Sequence, residues 1–98
     1  MYLTSHIPQI KKLCEQHKVD KLYAFGSVLT NRFAKDSDVD LIVGFSDMPI
    51  ENYADNYFDF KFSLQDMLHR SVDLLEDQAI KNPYLRQNID STKQLIYG

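Results

Sequence analysis

The strongest constraint on the fold is an alternating stretch of acidic and apolar residues, DVDLIVGF, at positions 38–45. Side chains two positions apart in a β-strand project from the same face. A strand here therefore turns Val39 and Leu41 to one face, and Asp38 and Asp40 share the other. Two carboxylates about 5 Å apart repel by roughly 3 kcal/mol at an effective dielectric near 20. Such a strand either has a solvated face or holds a counter-charge.

The rest of the chain alternates between helical and strand patterns. The predicted helices are at 5–18, 28–33, 50–69 and 82–93, and the predicted strands are at 21–25, 39–45 and 71–75. Residues 95–97 are either an ordered tail or a short edge strand. This alternation predicts an α/β (α+β) fold in which helices cover a sheet. The short link between the first two strands allows either a parallel crossover or an antiparallel return.

Length and composition exclude several classes of protein. With 98 residues, 44% hydrophobic and 26% charged, the chain is expected to form a single globular domain over residues 1–98. No apolar run approaches the roughly 20 residues of a membrane helix, and the N-terminus lacks a signal-peptide pattern. The single cysteine, Cys14, fits a reducing cytoplasm. The net charge of −3 disfavours broad nucleic-acid binding but is compatible with a small anionic substrate held through a metal.

A third acid, Asp73, is in another predicted strand, between Val72 and Leu74. If that strand neighbours the one carrying Asp38 and Asp40, all three carboxylates share one patch, which a cation or a bound proton must stabilise. Magnesium fits best, because it prefers carboxylate oxygens together with substrate phosphates. Taken alone, each acid also fits an ordinary solvated surface.

Gly26 and Ser27 stand between a predicted strand and a predicted short helix. Glycine permits a tight turn and the close approach of a ligand to the backbone, and a helix N-terminus favours phosphate. The pair alone is typical of a turn with a helix cap. Together with the acids it forms the pattern G-S-x10-D-x-D, which is far more specific than its parts.

Through Gly26, Ser27, Asp38, Asp40 and Asp73, the chain resembles the minimal nucleotidyltransferase domain of the DNA polymerase β superfamily. The resemblance implies a polymerase β palm-like fold, a mixed sheet with helices packed on it, whose first two strands are antiparallel. It also implies that Asp38 and Asp40 bind Mg²⁺ and that two Mg²⁺ ions take part. The third acid is then a catalytic base or a further metal ligand, and the Gly-Ser turn holds the phosphates of ATP or another nucleoside triphosphate.

The chain departs from the family pattern after the serine. Many members have an arginine there, whereas this chain has Val28. Arg32 or Lys35 could supply the missing positive charge, or both could be solvated. Two functions stay open. The first is a metal-dependent enzyme that transfers AMP to a HEPN-domain toxin, as its antitoxin. The second is a catalytically weak module that neutralises the toxin by contact alone, and either could act as a homo- or hetero-oligomer.

One helical feature bears on partners. On the 50–69 helix, the apolar stripe leaves Phe58 and Phe62 on or near the opposite side. They either pack under the C-terminal segment or form an exposed aromatic patch, which usually marks an interaction surface.

Overall fold

The structure is a computed structural model that describes residues 1–98. Four strands form one mixed sheet, and helices cover both of its faces. The strands are Val19–Phe25 (β1), Val39–Phe45 (β2), Val72–Glu76 (β3) and Gln94–Tyr97 (β4), and the α-helices are Ile7–Gln16 (α1), Ile50–Leu68 (α2) and Pro83–Thr92 (α3). Their order in the sheet is β3-β2-β1-β4. β1 is antiparallel to β2 and β4, and β2 is parallel to β3. The predicted mixed α+β fold and the antiparallel first pair are confirmed.

The main core lies between one face of the sheet and the helices α1 and α2. Alternation along β2 turns Val39, Leu41 and Val43 into this core, as predicted. The 3.6-residue period of α2 places Phe60, Leu64 and Leu68 against them. Burying a large apolar side chain contributes roughly 1.5–3 kcal/mol, so these two periodic patterns account for much of the stability.

The opposite face of the sheet is covered more lightly, by α3. Ile42 and Ile89 are buried there, outside the main cluster. The ammonium group of Lys93 lies 4.2 Å from the centre of the Tyr23 ring. α3 begins as predicted, because Pro83 is its first residue and Asn82 Oδ1 accepts hydrogen bonds from the amides of Tyr84 and Leu85. None of the helices combines the length and apolar character needed to cross a membrane.

Two local predictions are wrong. The helix predicted over 28–33 is instead a single 3₁₀ turn, Gly26–Leu29, because Thr30 adopts an extended backbone and its hydroxyl donates to the Ser27 carbonyl at 3.0 Å. On α3, helical periodicity predicts that Leu85, Ile89 and Thr92 face inward; Ile89 is buried, but Leu85 and Thr92 are exposed. Both line a cleft between α3 and that turn.

The remaining boundaries shift by a few residues. β1 begins at Val19, two residues before its predicted start, and a second 3₁₀ turn, Tyr2–His6, precedes α1. Residues 94–97 form a true strand at the edge of the sheet, beside β1, which decides between the two alternatives for this segment. α2 ends at Leu68, and the following residue, His69, has a left-handed backbone with φ 54° that stops the helix without a glycine.

Candidate active site

The strand register brings two of the three predicted acids side by side. Asp40 pairs with Asp73 across β2 and β3, and with Phe25 across β1 and β2. Successive side chains alternate between the faces of a sheet. Since Leu41 and Leu74 point into the main core, the two aspartates point to the opposite face. The condition that the two acid-bearing strands be neighbours is met.

Asp38 immediately precedes β2 and is exposed, as is Asp73, whereas Asp40 is half-buried. Burial raises the pKa of Asp40 above its ordinary value, and the negative charges of Asp73 and then Asp38 raise it further. The three ion pairs of the structure all involve other carboxylates. The three acids therefore concentrate negative charge, and none of them forms an ion pair with a side chain of the protein.

No three His, Cys, Asp or Glu side chains are already gathered closely enough to hold a metal ion. The backbone brings the acids to one patch, but the carboxylates are not drawn together around a single point. Their chemistry nevertheless fits magnesium, because all three offer hard oxygen donors. Asp38 and Asp73 are exposed and form no ion pair, so rotation about their side-chain bonds can turn them towards Asp40.

Gly26 packs directly against this acidic patch. Its backbone has φ +75°, and a Cβ placed on it would lie 2.5 Å from Asp40 Oδ2. Both facts require glycine, because left-handed backbone disfavours a side chain and the carboxylate occupies the space. The turn that carries Ser27 is thereby held in contact with the acid at the centre of the patch.

A cleft of about 840 Å³ opens beside the turn. One wall is formed by the last residue of β1 and the turn that follows it: Phe25, Gly26, Ser27, Leu29, Thr30 and Arg32. The other wall is formed by α3: Leu85, Asn88, Ile89 and Thr92. The acids do not line the cleft, but Asp40 touches the turn that does. A molecule bound in the cleft, whose lining is partly apolar and partly polar, could therefore reach the acidic patch.

Arg70 is a residue near the site that sequence reasoning missed. Its guanidinium donates to the Ser37 carbonyl at 2.8 Å and lies 4.2 Å from the centre of the Phe33 ring. The amide of Val39 donates to the Ser71 carbonyl at 3.0 Å. Together these contacts fix the backbone on both sides of Asp38. No sequence signal could have identified Arg70, because its partners are more than 30 residues away along the chain.

The structure thus gives each predicted site residue a definite place. Gly26, Ser27, Asp40 and Asp73 come together on one face and at one end of β1 and β2, with Asp38 beside them. Of the two cations considered, Arg32 lines the cleft and Lys35 does not. Val28 is buried in the core, so the position after Ser27 presents no charged side chain to a ligand.

Comparison with known proteins places the chain in a family. The sequence profile of the polymerase beta nucleotidyltransferase family matches residues 8–98. A Methanocaldococcus jannaschii protein named as a proposed protein adenylyltransferase is 38% identical over 87 residues, which cover 89% of this chain and 84% of that protein. A second protein of that organism with the same kind of name is 31% identical over 94 residues and has the same two coverages.

Solved structures agree with the fold. A protein described as a proposed minimal nucleotidyltransferase superposes with a TM-score of 0.77 at 25% identity, covering 94% of this chain and 90% of that one. A toxin–antitoxin crystal structure with AMP-PNP has a TM-score of 0.73 at 22% identity, covering 94% and 73%. A tri-AMPylated HEPN toxin of Shewanella oneidensis in complex with its MNT antitoxin gives 0.68 at 21%, covering 100% and 73%. By its sequence and by its fold, this chain belongs to the polymerase beta nucleotidyltransferase family.

Proposed function

We propose that this domain transfers AMP from ATP to a hydroxyl group of a partner protein, a HEPN-domain toxin, and so acts as its antitoxin. The observation that carries the proposal is the pairing of Asp40 with Asp73, in which Asp40 lies against the Gly26 turn that lines a cleft. The names of the relatives support it: two are called protein adenylyltransferases, and one structural neighbour is an AMPylated toxin bound to its antitoxin.

Asp38, Asp40 and Asp73 would hold magnesium, two ions in the proposed active complex. Bound magnesium would neutralise charge on the phosphates and make the acceptor hydroxyl more acidic. This role would account for three acids that lie together without an ion pair to any side chain of the protein. The arrangement is unfavourable for the protein alone, as the raised pKa of Asp40 indicates.

The turn and the cleft would bind the nucleotide. Gly26 lets the phosphates approach the backbone, and the Ser27 hydroxyl can donate a hydrogen bond to them. Arg32, exposed at the cleft, can add the positive charge that the position after Ser27 lacks. The opposite wall, with Leu85 and Ile89, offers apolar surface to the base.

The proposed reaction is one substitution at the α-phosphorus. The acceptor oxygen forms a bond to that phosphorus while the bond to the bridging oxygen of the β-phosphate breaks, and pyrophosphate leaves with that electron pair. Asp73 is the candidate to accept the proton of the acceptor hydroxyl, because it is exposed and unpaired next to Asp40. The protein contributes orientation of the two reactants and charge compensation.

A second function is contact inhibition without transfer. The buried Val28 favours it, because the position after Ser27 supplies no cation to the triphosphate. In this alternative the same fold would bind the toxin, and nucleotide chemistry would be weak or absent.

A transfer assay separates the two functions. The chain is incubated with a HEPN-domain protein from the same organism, magnesium and α-labelled ATP, and label on the partner is measured. Transfer predicts labelling that disappears in the double variant Asp38→Asn, Asp40→Asn, with binding to the partner unchanged. Inhibition of the toxin without any label would support contact inhibition, and label that persists in the double variant would refute the assignment of the acids.

Magnesium binding is tested without activity. We predict that millimolar magnesium raises the melting temperature of the protein, because a ligand that binds only the folded state stabilises it. The double variant should lose this response. An equal response of both proteins to magnesium would place the ion elsewhere.

A further inference from the structure

We propose that the outward face of α2 docks a partner protein whose surface is apolar at the centre and rich in lysine and arginine at the rim. This outer face consists of Phe58 and Phe62 with four surrounding acids, Glu51, Asp55, Asp59 and Asp66. The proposal does not depend on nucleotide transfer, because this face plays no part in the candidate active site.

The two aromatic rings form a fixed apolar centre. Phe58 and Phe62 are 48% and 53% exposed. They are four residues apart on the helix and their rings stack, with centroids 5.9 Å apart and planes 28° apart. Phe58 also meets the Tyr57 ring edge-on, at 5.1 Å. A partner that covers these rings would bury apolar area at little cost in side-chain entropy.

The alternative expectation for these residues, packing under the C-terminal segment, is wrong. That segment forms β4 at the edge of the sheet beside β1, and its Ile96 belongs to the main core. The inward side of α2 already packs on the sheet through Phe60 and Leu64. Nothing within the chain covers the outer face.

The negative charge around the two phenylalanine rings indicates which kind of partner surface would bind there. All four acids of the outer face are exposed, and Lys61 is the only basic residue in α2. Asp55, Asp59 and Asp66 follow helical spacing along one flank of the aromatic pair. Complementary lysines or arginines on a partner would pair with this flank and orient the docking.

A second copy of the chain fits this face poorly. An antiparallel pair of α2 helices would bring the two acidic flanks against each other, and like charges at an interface are unfavourable. An anionic membrane surface is disfavoured for the same reason. A basic protein surface is the occupant whose charge matches.

The outer face lies on the far side of the sheet from the acids of the candidate active site. α2 packs on the core face of the sheet, whereas Asp40 and Asp73 point to the opposite face. A partner docked on α2 would therefore leave the cleft and the acidic patch accessible. Loss of docking and loss of nucleotide chemistry are separable defects.

The test uses a synthetic helical peptide with a leucine stripe flanked by lysines, titrated into the isotope-labelled full chain and followed by NMR amide shifts. A control peptide keeps the leucine stripe but has glutamates in place of the lysines. We expect shifts centred on Phe58 and Phe62, and affinity for the lysine peptide at least about tenfold higher, which corresponds to roughly 1.4 kcal/mol. Equal affinity for the two peptides, or shifts centred elsewhere, would overturn the proposal.

Variants decide which residues are responsible. Phe58→Ser with Phe62→Ser should weaken binding of the lysine peptide about tenfold or more, and Asp59→Asn with Asp66→Asn should reduce its dependence on salt. Tyr84→Ser, which removes an 83% exposed aromatic ring on α3, is the matched control and should bind normally. An equal loss in the control would overturn the assignment. So would light scattering that shows a dimer of the wild type dissociating in the double phenylalanine variant, since a second copy would then be the occupant.

Discussion

Asp40 is the residue whose surroundings least suit its charge. It is half-buried against the Gly26 turn, and the charges of Asp73 and Asp38 act on it from two sides. Because its folded-state pKa is raised, its stabilising contribution is complete only below the pKa of the unfolded chain and is lost as the pH rises through the folded value. At neutral pH the ionised side chain therefore lowers the stability of the fold.

We predict that Asp40→Asn raises the melting temperature at pH 7 in the absence of divalent metal. Removing the charge removes both the cost of partly burying it and its repulsion from Asp73 and Asp38. The free energy of unfolding should rise by up to about 1 kcal/mol, after screening by water is allowed for. For a domain of this size that is a rise of a few degrees in calorimetry, since about 1 kcal/mol corresponds to roughly 4–8 °C. Asp47→Asn, an exposed acid just beyond β2, is the control and should change little. A lower melting temperature for the Asp40 variant would contradict the electrostatic account.

Gly26 carries the second prediction at this scale. Gly26→Ala should lower the free energy of unfolding by about 1–2 kcal/mol, because left-handed backbone disfavours alanine and the new Cβ would meet the Asp40 carboxylate at 2.5 Å. In an Asp40→Ala background only the backbone strain remains, so the loss measured by urea denaturation should be smaller. Gly44→Ala is the matched control: its Cβ would meet nothing within 4 Å. Equal losses in the two backgrounds would show that the contact is not energetically important.

At the scale of elements, the loop between β1 and β2 matters most, because it carries Asp38 and has little regular structure of its own. Residues 34 and 37 close a small turn, in which the Ala34 amide donates to the Ser37 hydroxyl at 3.0 Å. Arg70, just after α2, holds that turn through the Ser37 carbonyl and rests on the Phe33 ring. One end of a helix thus positions a loop from the other half of the chain.

We predict that Arg70→Met lowers the free energy of unfolding by roughly 1.5–3 kcal/mol, the range for a lost hydrogen bond that involves a charged group. It should also raise the magnesium concentration needed for half of the thermal stabilisation, because Asp38 loses its fixed backbone. Arg70→Lys keeps the positive charge and can still donate to the Ser37 carbonyl. Its stability and its magnesium midpoint should lie between those of the wild type and Arg70→Met. Lower stability with an unchanged magnesium midpoint would mean that Arg70 supports the fold but does not position the acid.

At the scale of the whole molecule, the core sets the chemistry of the single cysteine. Cys14 on α1 is fully buried in the main core. Burial, followed by the charge of Glu15, raises its pKa from 9.0 to about 12. The thiolate is the reactive form of cysteine, so the folded protein should react slowly with thiol reagents until it unfolds.

The raised pKa of Cys14 also predicts how stability depends on pH. Above pH 9 the unfolded chain loses the thiol proton while the folded chain keeps it, so stability falls by about 1.4 kcal/mol per pH unit from this group. Tyr53, whose pKa is raised to about 12 by burial and by Glu76, adds to the loss only above pH 10. Urea midpoints at pH 8 and 10 should therefore fall less for Cys14→Ala than for the wild type. A constant difference between the two proteins across this range would contradict the prediction.

Much of the fold follows from short-range patterns. Three patterns predict their own elements from residues close together in the chain: the alternation in β2, the apolar stripe on α2 and the Asn82-Pro83 start of α3. They do so because side-chain periodicity and helix capping are local properties. The turn at Gly26 is equally local. Where a pattern was weak, as over 28–33, a single side chain, Thr30, decided the outcome.

The sequence by itself determined that Asp40 points away from the core face of β2, because side chains alternate along a strand and Val39 and Leu41 face the core. Only the tertiary structure decided that Asp73 stands in register with Asp40, that Arg70 reaches Ser37, and that a cleft opens between α3 and the Gly26 turn. The physical reason is that periodicity orients a side chain within its own element. Distances between elements depend on strand order and packing, which the whole chain settles together.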